Sequence, residues 1–217
     1  ARPVPSKNRL LTTVAWQVAD TVTYALEGSA FIAGSAVKWL RDGLQFIDAA
    51  SQIETLANQV TDSGGVTVVP AFVGLGAPHW RSQARGLITG LTLGTNRAHV
   101  ARATLEGIAL QNVEILQAMA NDSKQKLVQL KVDGGACANN LLMQMQADFL
   151  GCRITRPEMV ETTALGAAFL AGLGAGVWQN FDDISGAWKM DREFLPDIDE
   201  QERSRVLERW REAVKKA

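Results

Sequence analysis

The chain has 217 residues, of which 47% are hydrophobic and 21% charged, and a formal net charge of −1. This length allows one large domain or two small ones, and the charge balance argues against a nucleic-acid-binding protein, which normally carries a basic face. The longest apolar stretch, ALGAAFLAGLGAGVW, is too short and too rich in small residues for a membrane span. We therefore expect neither nucleic acid nor a membrane among the partners.

The two cysteines, Cys137 and Cys152, do not form a C-x-x-C pair. This spacing favours reduced thiols in a cytoplasmic protein over a disulfide framework or a metal site. The sequence shows no signal peptide, and it begins ARPVPSKNR without an initiator methionine. We therefore expect a fragment of a cytoplasmic protein.

The first sixty residues predict a hairpin and two helices. LLTTVAWQVAD and TVTYALEGSA are rich in β-branched and aromatic residues and abut near Asp20, which predicts an antiparallel hairpin. FIAGSAVKWLRDGL predicts a helix that ends at Gly43, and DAASQIETLANQV predicts a second, amphipathic helix.

The next segment predicts two strands around a loop, followed by a long helix. VTVVP predicts a buried strand, AFVGLGAPHW a loop and GLITGLT a second strand. From about residue 97 to residue 119, apolar residues recur in one stripe that is wide enough to bury a helix against a sheet.

The second half of the chain alternates strands with helices. KLVQLKV and CRITRP predict strands, whereas NNLLMQMQADFLG and TALGAAFLAGLGAG predict helices. This alternation is typical of parallel βαβ units. A charged helix is predicted from residue 200 to about residue 214. Together these patterns predict one α/β domain that opens with a hairpin.

The stretch KVDGGACANN contains the strongest candidate for a ligand site. Gly134 and Gly135 follow a predicted strand at its carboxyl end, the edge where ligands bind in open α/β sheets, and Asn140 is a plausible N-cap for the next helix. Main-chain amides at such a turn attract anions, and glycines leave room for a phosphate. The motif is neither a Walker A loop nor G-x-G-x-x-G. A tight turn and a phosphate site therefore both stay open.

Four other polar residues are candidates for a functional site. Asp133 could orient a metal-bound water, but an acid before a turn more often caps neighbouring amides. His79 and His99, the only histidines, have no cysteine or acid at metal-ligand spacing, which favours surface or packing roles. Glu106 lies off the apolar stripe and could be either an exposed carboxylate or one that tethers a loop.

Five blocks resemble the FGGY carbohydrate kinases of the actin-like ATPase superfamily, and the resemblance extends from about residue 10 to residue 217. The blocks are YALEGSAFIAGSAVKWLRD, VVPAFVGLGAPHW, ARGLITGLTLGTNRAHVARATLEGIALQ, VDGGACANNLLMQMQADFLG and RPEMVETTALGAAFLAGLGAGVW. The resemblance implies an α/β fold of the ribonuclease H-like, actin-like ATPase type. Its mixed sheet would consist of an opening antiparallel hairpin and then parallel strands, flanked by helices. It also implies a C-terminal, nucleotide-binding domain over 10–217, after an extension or linker at 1–9.

The resemblance also implies which residues contact nucleotide. Gly135 would lie near the phosphates and Asn139 near the adenine, with Gly134 in the same nucleotide-binding set. Gly34 and Lys38 would form a second wall of the pocket. The family has glutamine at the position of Lys38. Its W-D-P-x-A-R-G motif is broken here, because Arg81 and Ser82 replace the acid and the proline.

The loop GLGAPHW is similar to that of the family members that phosphorylate glycerol. The implied activity is transfer of a phosphoryl group from Mg²⁺-bound ATP to glycerol, which gives glycerol 3-phosphate and ADP. The catalytic aspartate and most glycerol contacts of the family belong to an N-terminal domain that these residues do not include. We therefore expect no catalytic residue and no metal ligand in this chain, and no turnover by the chain alone.

Two alternatives remain from the sequence. One is an FGGY kinase for another polyol or sugar, and the other is a non-catalytic nucleotide-binding module. Self-association into a homo-oligomer is a further expectation, because surface left uncovered by a missing domain would be apolar.

Overall fold

The computed structural model describes residues 2–186 and 188–217. It forms two compact units. The first contains the chain up to Leu127 together with Ile198–Ala217, and the second is Val128–Asp197. The expected division into a short extension at 1–9 and one domain over 10–217 stays a prediction.

Seven strands and seven α-helices are assigned within the described residues. The strands are β1 (Leu11–Val18), β2 (Thr21–Glu27), β3 (Thr67–Val69), β4 (Leu87–Thr89), β5 (Gln129–Lys131), β6 (Arg153–Pro157) and β7 (Met190–Phe194). The helices are α1 (Gly34–Asp42), α2 (Gln52–Ala57), α3 (Arg97–Ser123), α4 (Asn140–Leu150), α5 (Thr162–Gly174), α6 (Phe181–Ser185) and α7 (Glu200–Lys216). None of the helices in the described part of the chain combines the length and apolar character needed to cross a bilayer.

The first unit opens with the predicted hairpin. β1 and β2 pair antiparallel from Leu11 opposite Glu27 to Val18 opposite Thr21, with a register shift between Val14 and Trp16. β3 and β4 form a second antiparallel pair. The buried strand, the loop after it and the helix that ends before Gly43 are confirmed.

The core of this unit lies where α3 crosses β3. Val68 and Val69 on β3 are almost completely buried. At Gly107, in the middle of α3, a Cβ atom would lie 2.2 Å from the carbonyl oxygen of Val68, so only glycine allows the helix to approach the strand this closely. α7 also packs on β3 and buries Trp210.

Glu106 is the buried carboxylate of this core. Its Oε2 accepts a hydrogen bond from Arg209 Nη2 on α7 at 3.4 Å, and its Oε1 lies 3.8 Å from Arg102 Nε. Arg209 Nη2 also donates to Ser63 Oγ at 3.2 Å, in the loop before β3. Of the two predicted roles, an exposed carboxylate is wrong and a tether to a loop is confirmed. Burial raises the pKa of Glu106 against the opposing effects of the Ser63 hydrogen bond and both arginine charges.

The second unit contains a three-stranded sheet in the order β5-β6-β7. β5 and β6 are parallel and are joined through α4, which confirms the predicted βαβ unit. β7 adds an antiparallel edge strand that the sequence analysis did not predict. Its sequence, MDREF, is mostly charged and exposed, so it lacks the apolar signal of a buried strand. The antiparallel hairpin and later parallel strands of the expected fold are therefore present, hydrogen-bonded in separate sheets.

We expect Glu106 to make the stability of the first unit fall as pH rises. Because its folded pKa lies above the ordinary value of 4.5, the folded chain keeps a proton that the unfolded chain has lost. Stability is then lost between pH 4.5 and the raised folded pKa. In urea unfolding from about pH 4.5 to about pH 8, the wild-type chain should lose stability relative to Glu106→Gln.

Glu212→Gln is the matched control. Glu212 is exposed, and its pKa is lowered mainly by a hydrogen bond from Lys215, so its contribution to stability has the opposite sign and is lost as pH falls. The stability of wild type minus that of Glu106→Gln could instead stay constant or rise with pH. The charges of the two arginines, rather than burial, would then determine the pKa of Glu106.

Candidate functional site

The candidate site is the glycine-rich turn at the carboxyl end of β5. Beyond the strand, Val132 N donates to Thr155 O at 3.0 Å, and Gly134 N donates to Val160 O at 2.9 Å. The chain therefore runs beside β6 until the turn begins. Gly134 has φ 79° and ψ 169°, a conformation that is open almost only to glycine.

Gly135 is different from its neighbour. It begins a 3-10 helix, Gly135–Ala138, and is exposed. A Cβ atom built at Gly135 would meet no atom within 4 Å, and its φ lies outside the left-handed region. The turn therefore requires glycine at 134, whereas packing within the chain gives no reason for glycine at 135. The bare main chain at Gly135 leaves room for a ligand atom to approach.

Asn139 caps α4, so the prediction of Asn140 as the N-cap is wrong. Asn139 has an extended backbone, and its Oδ1 accepts a hydrogen bond from Leu142 N at 2.8 Å. Asn140 is the first helical residue, and its Oδ1 accepts from Arg156 Nη1 at 3.1 Å. The cap lies one residue earlier because the 3-10 helix ends at Ala138 and the chain must become extended before α4 begins.

Arg156 on β6 lies beneath this turn, a position that the sequence pattern does not predict. Its Nη1 donates to Cys137 O at 2.8 Å, and its Nε donates to Asp191 Oδ2 on β7 at 2.7 Å. The Cys137 side chain is buried, and burial raises the pKa of its thiol while the Arg156 charge opposes that change. Both residues hold the inner side of the turn, opposite the exposed Gly135. An arginine within a predicted strand was the only sequence signal, and it does not identify a partner.

Gly34 and Lys38 belong to the first unit and lie on one face of α1. Gly34 is the first residue of the helix and Lys38 follows one turn later, which puts both on the same exposed side. A Cβ atom at Gly34 would meet nothing within 4 Å. The opposite side of α1 buries Ala36 and Leu40. Gly134, Gly135 and Asn139 lie together in the second unit.

The remaining candidates are the two histidines and Asp133. His79 Nε2 lies 3.0 Å from Glu114 Oε2, and His99 Nδ1 accepts a hydrogen bond from Asn96 N at 3.2 Å in the capping box of α3. Both histidines are half-buried and have polar partners within the chain. Asp133 is exposed. Across residues 2–186 and 188–217, no group of three or more His, Cys, Asp or Glu residues could hold a metal ion.

Arg81 stands where the resembled motif has an acid, and it anchors the loop after β3. Its main chain pairs with Leu75, with N···O distances of 2.9 and 3.0 Å. Its guanidinium donates to the carbonyl oxygen of Val214 near the end of α7. The loop is therefore tied to a helix end by a cation, the charge that a helix C-terminus favours.

Sequence comparison identifies relatives over the full chain. The model of the FGGY family of carbohydrate kinases, C-terminal domain, matches residues 1–175. The glycerol kinase of Symbiobacterium thermophilum is 57% identical over 216 residues, which are 100% of this chain and 43% of that protein. That of Deinococcus radiodurans is 56% identical over 214 residues, 99% of this chain and 43% of the relative. The chain thus spans less than half the length of the curated relatives it matches.

Structure comparison agrees with the sequence comparison. Plasmodium falciparum glycerol kinase, solved with ADP, superposes with a TM-score of 0.90 at 38% identity over 98% of this chain and 43% of that chain. The xylulose kinase of Lactobacillus acidophilus superposes with a TM-score of 0.79 at 21% identity, over 95% of this chain and 41% of its own. The second likeness concerns the fold alone.

Proposed function

We propose that this chain, which belongs to the FGGY family of carbohydrate kinases, is the nucleotide-binding lobe of an ATP-dependent glycerol kinase. The observation that carries this proposal is identity above one half, over essentially the whole chain, with proteins named glycerol kinase. In the complete protein, the γ-phosphate of ATP would pass to a hydroxyl of glycerol, which gives glycerol 3-phosphate and ADP. Two free, buried cysteines support the further proposal of a cytoplasmic location.

The glycine-rich turn is the proposed phosphate contact. Gly135 is exposed and bare, so a phosphate oxygen could approach the main chain without meeting a side chain. Gly134 would hold the turn in shape, and Asn139 would contribute near the adenine while its Oδ1 caps α4. A relative of the same family has been solved with ADP, which supports a nucleotide as the ligand.

Gly34 and Lys38 are proposed as further nucleotide contacts. Both are exposed on α1, and no side chain covers the space beside Gly34. The Ala33 side chain makes no capping hydrogen bond, so the first turn of this helix has no side-chain cap. Such a helix start favours a negatively charged group.

Mg²⁺ would neutralise charge on the transferred phosphoryl group when it is bound. Within the described residues no cluster of ligands could hold the ion. We therefore propose that Mg²⁺ is held mainly by nucleotide phosphates and water, as is usual for this ion. The catalytic base and most glycerol contacts are proposed to belong to the part of the protein outside these residues.

We expect the full-length protein to release ADP from MgATP only when glycerol is present. The 217-residue chain alone should show no glycerol-dependent turnover, because phosphoryl transfer needs the nucleophile and the nucleotide to be positioned together. A coupled ADP-release assay on both proteins, with xylulose and gluconate as alternative acceptors, measures this directly. Turnover by the isolated chain, or a preference for another acceptor, would contradict the proposal.

We expect Gly135→Val to weaken Mg-ADP binding by about tenfold or more, because the new side chain would occupy the space of the phosphates. Folding should change little, since a Cβ at this position meets nothing within 4 Å. Calorimetric titration of the full-length protein with Mg-ADP gives the Kd. Gly174→Val, at another open glycine of the same unit, is the control and should bind Mg-ADP normally. Unchanged affinity in Gly135→Val would remove the turn from the nucleotide site.

A further inference from the structure

We propose that Arg156 is a positioning residue for the nucleotide: it holds the 3-10 helix Gly135–Ala138 from beneath, so that the main chain at Gly135 is presented to the phosphates. This inference rests on the proposed function. Arg156 itself would not contact the nucleotide. Its effect would pass through the carbonyl groups and the side chain that it binds.

One guanidinium nitrogen of Arg156 lies within hydrogen-bonding distance of three acceptors at the end of the turn. Arg156 Nη1 lies 2.8 Å from Cys137 O, 3.4 Å from Ala138 O and 3.1 Å from Asn140 Oδ1. These three acceptors come from the last residues of the 3-10 helix and the first residue of α4. The arginine therefore fixes the junction between the two helices, where the main chain changes direction.

The other side of the guanidinium is fixed by Asp191. Both Nε and Nη2 approach Asp191 Oδ2, at 2.7 and 2.6 Å. The Arg156 side chain is only 13% exposed, against 45% for its partner. A planar guanidinium clamped in this way has little freedom to rotate, and a lysine ammonium could not bridge both sides.

The turn has few other constraints on its outer side. No atom lies within 4 Å of a Cβ built at Gly134 or Gly135, so no packed side chain holds the exposed main chain in place. Other anchors of the turn include the Gly134–Val160 hydrogen bond, the Asn139 cap and the buried Cys137 side chain. Without Arg156, the carbonyls of Cys137 and Ala138 would lose the hydrogen bonds from its guanidinium, and more of the turn would have to be ordered when the nucleotide binds.

Arg153 provides a matched comparison on the same strand. It also bridges β6 and β7, with Nε 3.1 Å from Glu193 Oε1, and its side chain is 52% exposed. Its ion pair therefore joins the same two strands as the Arg156–Asp191 pair, but at a more exposed position. A loss of strand pairing alone would affect variants of both arginines, whereas a loss of turn position would affect only Arg156.

The test uses the full-length protein with Arg156→Met, Arg156→Lys and Arg153→Met. We expect Arg156→Met to raise the KM for MgATP and the Kd for Mg-ADP by about tenfold, while the KM for glycerol stays within about twofold. Arg156→Lys should also weaken nucleotide binding, because it keeps the charge but not the bridge. Arg153→Met should leave all three constants within about twofold of wild type.

Thermal unfolding of each variant distinguishes a change in the position of the turn from a loss of protein stability. If Arg156→Met lowers the melting temperature but leaves the KM for MgATP and the Kd for Mg-ADP unchanged, Arg156 is structural only and the inference is overturned. The same holds if Arg153→Met raises the KM for MgATP equally. If Arg156→Met does not fold, Asp191→Asn is measured instead. That variant should raise the KM for MgATP in the same direction, and no change would overturn the inference.

The proposed function and this inference can fail separately. If the wild-type protein binds Mg-ADP but does not phosphorylate glycerol, the proposed substrate is wrong, and the Kd values for Mg-ADP still decide the role of Arg156. If the wild-type protein does not bind Mg-ADP, the inference is overturned together with the nucleotide site.

Discussion

The parallel pairing of β5 with β6 determines where every residue of the proposed phosphate site lies. Lys131 stands opposite Thr155, and the main chain after β5 continues beside β6 until Gly134 N reaches Val160 O. This register puts Arg156, the residue after Thr155, beneath the turn. A parallel pair also requires a crossover, here α4, whose start forms the other side of the turn. A change of register would separate the glycines from their support.

Both units use an arginine to join elements that are distant in the chain. In the second unit, Arg156 connects Asp191 on β7 to the turn before α4. In the first unit, Arg209 connects Glu106 on α3 to Ser63 in the loop before β3. Removing Arg209 would leave the buried Glu106 carboxylate with less compensation for its charge, which is costly at a buried site. Burial raises the pKa of Glu106, and the neighbouring arginine charges oppose that change.

Several elements could be predicted because their hydrophobic and turn patterns lie within a short stretch of sequence. The β1–β2 hairpin has β-branched and aromatic runs around a short turn, and α3 has an apolar stripe that continues over many turns. β7 could not be predicted in this way, because an exposed edge strand needs no apolar face. The sequence predicts Asn140 as the N-cap of α4, one residue after the true cap, Asn139. The short 3-10 helix before the cap has no distinctive sequence pattern.

The amino-acid sequence alone determined the family resemblance, the order of most elements and the presence of the glycine-rich turn, since each depends on residues close together in the chain. A phosphate at that turn stays a prediction. Only the tertiary structure separated the roles of the two glycines. The positive φ at position 134 requires glycine, whereas Gly135 faces open space. Neither property can be predicted from the neighbouring residues in the sequence. It also identified Arg156 and the burial of Glu106. Their partners are brought close only when strands and helices pack, so these contacts exist in space and have no local signal in the sequence.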